Sequence, residues 1–204
     1  MSTARDLMIV ALGEAPSRPL ERGDLSLALA GAEAYDLLRG EAIGLTGDRL
    51  VPRRQPVADD RLLAEAASLV VREAPYERLE DWLWRRGRGL ASVYLTALER
   101  DGHVSWERNR WLPFRGGRTV LGDTEERRRA AHRWAADEPV LLALAAAVGI
   151  RDEPTAADPA DPSVTDDAVL TLLAAVHDAV MELEAVRQRK AIEDAAFANV
   201  WRGA

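Results

Sequence analysis

The sequence contains no cysteine, which excludes a disulfide framework, a thiolate nucleophile and a cysteine-bound metal. Histidine is nearly as scarce: His103, His132 and His177 are the only three, and none stands at metal-ligand spacing from another. Long apolar runs are missing as well. The longest, Val140 to Ile150, falls far short of the roughly 20 residues that span a bilayer. Leu7 to Leu12 is too short for a secretion signal and lacks a charged approach and a cleavage site. No Gly-x-Ser-x-Gly, P-loop, Gly-x-Gly-x-x-Gly or His-Glu-x-x-His pattern occurs, so no active site is nominated. Gly87-Arg88-Gly89 is too short to cradle a phosphate unaided, and Gly116-Gly117 reads as a hairpin turn. Excess positive charge is also lacking: a net charge of -7 and a pI near 5.1 argue against broad nucleic-acid binding.

What is present fits one globular domain with a sizeable core, spanning residues 1–204. The 204 residues are 48% hydrophobic and 30% charged. The most informative stretch is Asp24 to Leu50. Leu25, Leu27, Ala28, Leu29, Ala32, Ala34, Leu37 and Leu38 cover almost the whole circumference of a helix, and such a helix is normally enclosed by its neighbours. Ala28, Ala30, Gly31, Ala32 and Ala34 would let those neighbours approach closely. Asp24 is placed to cap this helix, and Gly40 is placed as its left-handed terminator. A hairpin turning at Gly47-Asp48 follows and ends by Pro56.

Elsewhere the chain is read as further helix. Asp6 to Leu12 is a short helix or strand. Asp59 or Asp60 caps a helix carrying Leu62, Leu63, Ala66, Ala67, Leu69, Val70 and Val71 and ended by Pro75, and Glu77 to Arg86 forms one or two turns. Gly89 to Arg100 is amphipathic, and His103 to Trp106 with Arg110 to Phe114 reads as a second hairpin. Asp123-Thr124-Glu125-Glu126 has capping-box form. Val140 to Ile150 is a buried helix, Arg151 to Ser163 a Pro- and Asp-rich loop, and Val164 to Trp201 helix in two pieces. The fold class expected is therefore mainly α: helices around a buried central helix, with one or two short β-hairpins.

The strongest candidate for function is Trp82-Leu83-Trp84-Arg85-Arg86-Gly87-Arg88. Indoles beside guanidinium groups suit a membrane interface, where Trp partitions to the headgroup level and Arg pairs bidentately with phosphate. Arg85 and Arg88 would share a face if the helix persists through Gly87. The competing reading makes Trp82 a core residue and the arginines a solvated face paired with Glu77, Glu80 and Asp81. Arg127, Arg128, Arg129 and Arg133 form a second basic cluster, read as an ion-paired helix surface in which Asp137 pairs with Arg133. His103 reads as a half-buried turn histidine, and Glu182 and Glu184 as surface carboxylates.

Taken together, several of these segments resemble the Golgi phosphoprotein 3 family, specifically its actinobacterial members. Leu29-Ala30-Gly31-Ala32, with Leu37, Gly40 and Ile43, is similar to that family's signature helix and turn. Asp60-Arg61-Leu62-Leu63-Ala64-Glu65-Ala66 resembles the start of its next helix. Trp82 matches its tryptophan-containing helix, and Arg88-Gly89-Leu90 through Leu98-Glu99-Arg100-Asp101-Gly102 resembles a later one. The likeness covers roughly residues 6 to 150. It implies a mainly helical domain with a protruding β-hairpin and no catalytic activity. The family's eukaryotic members bind phosphatidylinositol 4-phosphate on Golgi membranes and act as adaptors for glycosyltransferase tails. Their pocket uses a tryptophan, a signature-helix arginine and two later arginines. These fall near Glu21, at Ala30, and at Arg88 and Ala91 of this chain, with Arg85, Arg86, Arg22 and Arg18 open as basic substitutes.

The resulting expectation is a cytoplasmic, non-catalytic adaptor that docks peripherally on membranes and needs no cofactor or metal. Arg85, Arg86 and Arg88 would hold an anionic phospholipid headgroup and Trp84 would enter the interface. A membrane-protein tail is a further partner, and Thr46–Pro56 either projects and mediates self-association, as the resemblance implies, or folds flat onto its own domain. Two alternatives stay open, a winged-helix-like DNA-binding regulator and a protein-interaction scaffold without lipid affinity.

Overall fold

The computed structural model describes residues 2–53, 60–107, 118–151 and 166–202. Its organising element is helix α2 (Arg22–Arg39), which is buried on nearly every side as its apolar circumference requires. Around it stand α1 (Thr3–Gly13), α3 (Arg61–Ser68), α4 (Leu79–Arg86), α5 (Leu90–Arg100), α6 (Glu125–Ala135), α7 (Pro139–Ala147) and α8 (Asp167–Arg202). Two antiparallel two-stranded sheets complete the described residues: β1 (Ile43–Thr46) with β2 (Arg49–Pro52), and β3 (Val104–Glu107) with β4 (Arg118–Leu121). The architecture is mainly helical with two hairpins.

The ends of α2 differ by a turn or less from the sequence expectation. Asp24 is not its cap. The helix begins one turn earlier, and the buried Asp24 carboxylate instead takes a bidentate pair from Arg187 of α8, at 2.7 and 2.8 Å. At the other end Gly40 keeps φ at -80°, and Glu41 takes the left-handed position with φ 53°. The amide of Ala42 bonds Leu37 O and that of Glu41 bonds Leu38 O, the paired return bonds that define such a terminus. Those bonds place the reversal one residue beyond the glycine.

Close packing in the centre depends on Gly31, which faces Val176 of α8 across an interval too narrow for any side chain. Helix α8 is continuous rather than broken in two. The first segment is a helix, capped by Ser2, whose N-terminal amide of Thr3 donates to the Asp36 carboxylate at 2.6 Å. Thr124 caps α6 by accepting from the Arg127 amide, so the cap lies one residue past Asp123 and Arg127, not a glutamate, occupies the position a capping box needs.

The first hairpin lies flat instead of projecting over its described residues. Leu50 is buried and its amide bonds Glu77 O, while the amide of Leu79 bonds Asp48 O, so the turn is laced to the start of α4. Burying Leu50 is worth more than exposing an isolated ribbon, which is marginal in water. Residues 54–56 of the expected hairpin lie outside the described residues. The second hairpin returns at Arg118–Leu121, later than the expected Arg110–Phe114, and that segment lies outside the described residues, as do 152–163 of the expected loop and 164–165 of the expected last helix.

Asp36 supplies a pH-dependent contribution to this packing. Burial pushes its carboxyl up to about 6, against the hydrogen bonds it accepts from Thr3 and Ala4. From its ordinary value of 3.8 up to about 6, the folded protein holds a proton that the unfolded chain has released. Stability from this group therefore falls as pH rises through that window. An NMR titration of the Asp36 carboxyl should show a midpoint near 6. Asp36→Asn should flatten the corresponding part of a stability–pH profile measured by urea unfolding, and an unchanged profile would refute the assignment.

Candidate functional site

The four residues singled out between Trp84 and Arg88 are not brought together. Helix α4 stops at Gly87, and Gly89, with φ 67°, starts α5 in the left-handed conformation that a residue without Cβ adopts freely. The reversal sends Arg88 away from the arginines of α4. Arg85 turns toward α3. Its guanidinium donates to both Glu77 carboxylate oxygens at 2.7 Å and to Leu69 O at 3.1 Å, and lies 5.3 Å from the Trp82 ring.

Arg86 turns inward. It donates to Glu33 at 2.7 and 2.9 Å and to Glu65 at 3.0 Å, and Tyr94 adds its hydroxyl to Glu33 at 3.0 Å. Glu33 is 0% exposed and the Arg86 side chain 8%. Burial works against the Arg86 charge, but the Glu33 and Glu65 carboxylates outweigh it and hold the guanidinium above its ordinary range. Trp82, fully buried beside this pair, donates its indole N–H toward Ala30 O at 3.4 Å. Arg86 is thus spent on the core and has no face toward an external ligand.

Arg88 and Trp84 meet elsewhere. Both line a pocket of about 330 Å³ between the N-terminus of α2, the Gly87–Gly89 turn and Leu183 of α8. Trp84 is half-buried there and Arg88 exposed. The opposite rim is Arg22, also exposed, followed by Gly23 and Ser26. Neither Arg22 nor Arg88 has a side-chain hydrogen bond or ion pair among the described residues. Helix α2 also starts without a side-chain cap, because Glu21 makes none. Its leading amides and its dipole therefore favour negative charge on the same rim. The Ser26 hydroxyl is already committed, donating to Arg22 O at 2.7 Å and accepting from the Ala91 amide at 3.1 Å, which fixes α5 against α2.

The second basic cluster is structural. Arg133 donates to the fully buried Asp6 at 2.6 Å and pairs with Glu138 at 3.1 Å, while Arg129 approaches Asp6 at 3.6 Å. Asp137 pairs with Arg151 and not with Arg133. His103 is half-buried and lies 2.6 Å from Glu126. No helix among the described residues is long and apolar enough to cross a membrane.

Arg22 and Glu33 carry more of the site than their sequence context suggests. Arg22 lies just ahead of an apolar run and gains its place only when α4 and α5 fold back on α2. Glu33 is detectable as the single glutamate inside that apolar run, a position at which a carboxylate demands a buried cation.

No curated protein matches the chain. The family model for Golgi phosphoprotein 3 (GPP34) matches residues 4–195, which takes in every element described above except the outer ends of α1 and α8. By that match the chain belongs to the Golgi phosphoprotein 3 family.

Proposed function

We propose that this chain is a non-catalytic adaptor that docks peripherally on membranes through the pocket between α2 and the α4–α5 turn. The observation that carries the reading is the pairing of two uncommitted guanidinium groups, Arg22 and Arg88, with the half-buried indole of Trp84 in one concavity. Arginine binds phosphate bidentately, and an indole favours the headgroup layer. The ligand is an anionic phospholipid headgroup, with phosphatidylinositol 4-phosphate the form that family membership suggests. Arg88 is the position at which the sequence retains a family pocket arginine. In this reading Arg22 takes the part assigned to a signature-helix arginine, Arg85 remains tied to Glu77, and Arg86 supports the site from within by anchoring α4 to α2.

Co-sedimentation with phosphatidylcholine vesicles, with and without phosphatidylinositol 4-phosphate or phosphatidylserine, tests this directly. A basic residue near an anionic surface contributes about 1 kcal/mol, so Arg88→Ala and Arg22→Ala should each weaken binding about fivefold. Binding should decline as salt rises. Arg85→Ala should change it less than either. Absence of binding at low salt, or binding indifferent to Arg22 and Arg88, would overturn the proposal and leave a lipid-independent scaffold.

A further inference from the structure

Arg18, one of the basic residues open as a substitute in the lipid pocket, stands at a different one. A cavity of about 470 Å³ lies between the α1–α2 loop, the end of α7 and α8. It combines the two features of small-ligand sites, an apolar floor and a few convergent polar groups. Ala143, Ala146, Ala147 and Leu173 are half-buried and form the floor, while Arg18, Arg151, His177 and Met181 are exposed at the rim. Leu173, His177 and Met181 recur every four residues, so the imidazole shares one face of α8 with its apolar neighbours. Leu183, two positions past Met181, faces another way and lines the Arg22–Arg88 pocket. The two cavities are distinct.

The Arg18 guanidinium is held in place without a ligand. Ser17 donates its amide and hydroxyl to Gly149 O at 3.0 and 2.9 Å, and Arg18 Nη2 donates to Ala147 O at 2.9 Å. The Arg18 stem crosses Gly149, where a Cβ would stand 2.2 Å from Nε. Because Nη2 carries two hydrogens, one bidentate edge of the guanidinium stays open whichever of them is used. A helix C-terminus ordinarily repels anions through its last carbonyls. Here those oxygens are occupied: Ala145 O accepts from Ile150, Ala146 O from Gly149, Ala147 O from Arg18 and Gly149 O from Ser17.

The charge at the rim is close to one unit. No carboxylate lines the cavity among the described residues. Arg151 is already paired with Asp137 at 2.8 Å and lies over the Trp134 ring at 5.5 Å. Glu184 feels the Arg18 charge but is taken by Arg187 at 2.6 Å. Arg18 is therefore the uncompensated permanent cation, and His177, without a partner among the described residues, is a second donor. We infer that this cavity binds a small monocarboxylate bearing a compact apolar group. The carboxylate takes the open edge of Arg18 in two parallel N–H bonds, and the apolar group covers the alanine floor. Phosphate in its dianionic form would bring a second charge with no matching cation.

Calorimetric titration of the full chain with cyclohexanecarboxylate tests the assignment, with cyclohexanecarboxamide, acetate and inorganic phosphate as controls. The acid should bind, and each control should bind at least about tenfold more weakly, for want of charge, apolar body or matching valence. Arg18→Ala should weaken the acid by at least about tenfold, and Arg18→Lys, which keeps the charge but loses the fork, should fall between. Ala146→Leu should block the cavity without changing any charge. Arg22→Ala and Arg88→Ala should leave acid binding unchanged, so this inference and the lipid reading fail separately. The methyl NMR signal of Met181 should move on titration, while that of Met8, buried in the core, should stay and verify folding. No binding at millimolar acid, a control that binds as well as the acid, or binding indifferent to Arg18→Ala and Ala146→Leu would overturn the inference.

Discussion

Arg86→Ala is expected to destabilise the protein by about 3–5 kcal/mol, because it leaves the Glu33 carboxylate buried without a cation. For a chain of this size that corresponds to a melting temperature lower by roughly 10 °C. The effect is large because the pair cannot relax into solvent. Glu33 sits in the middle of α2, 0% exposed, and Glu65 and Tyr94 reach only the same cluster.

The pH dependence separates this mechanism from simple loss of packing. Burial already pushes the Glu33 carboxyl up even with Arg86 beside it. Without the guanidinium the folded protein would take up a proton at Glu33 that the unfolded chain releases. The variant should therefore regain stability as pH falls, over a window above the ordinary carboxylate range. Replacing both partners, Glu33→Leu with Arg86→Met, should recover much of the loss, since well-packed apolar residues often substitute for a buried ion pair at little cost. Urea unfolding of the three variants at two pH values checks the ordering. A single variant that unfolds like the parent would show that the pair is not buried.

The helical architecture was legible because its signals are local. An apolar circumference on α2, a hydroxyl cap followed by two glutamates at α6 and amphipathic spacing on α5 each act within a few residues. The candidate site was legible in composition but not in arrangement. Trp84, Arg85, Arg86 and Arg88 are adjacent in sequence, yet a single left-handed residue at Gly89 and a carboxylate 53 residues away at Glu33 decide where each guanidinium points. Arg22 joins Arg88 only through tertiary folding, which leaves no trace in spacing. The sequence left the first hairpin open between projecting and lying flat for the same reason: the anchors that decide it are backbone bonds between Asp48 or Leu50 and the entrance to α4. The end of α2 erred by one residue because glycine preference pointed to Gly40, whereas the return bonds selected Glu41.

Gly31 supplies the sharpest test of the packing between α2 and α8. A Cβ placed there would stand 2.3 Å from Val176 Cγ2, well inside van der Waals contact, and 3.6 Å from Leu144 Cδ2. In an exposed helix, Gly→Ala gains up to about 1 kcal/mol from propensity alone. Here the sign should reverse, because α2 and α8 must separate to admit a methyl group, and every other contact along their shared face loosens with them. Gly31→Leu should cost more than Gly31→Ala, at or beyond the upper end of the usual 1–3 kcal/mol for overpacking. The neighbour named by the geometry offers the control. Val176→Ala removes the obstructing methyl, so Gly31→Ala combined with Val176→Ala should be less destabilised than the sum of the two single changes. Additive losses in that double-mutant cycle would mean that Gly31 and Val176 do not touch. A Gly31→Leu protein that melts like its parent would place α2 at the surface and remove the basis of the helical core described here.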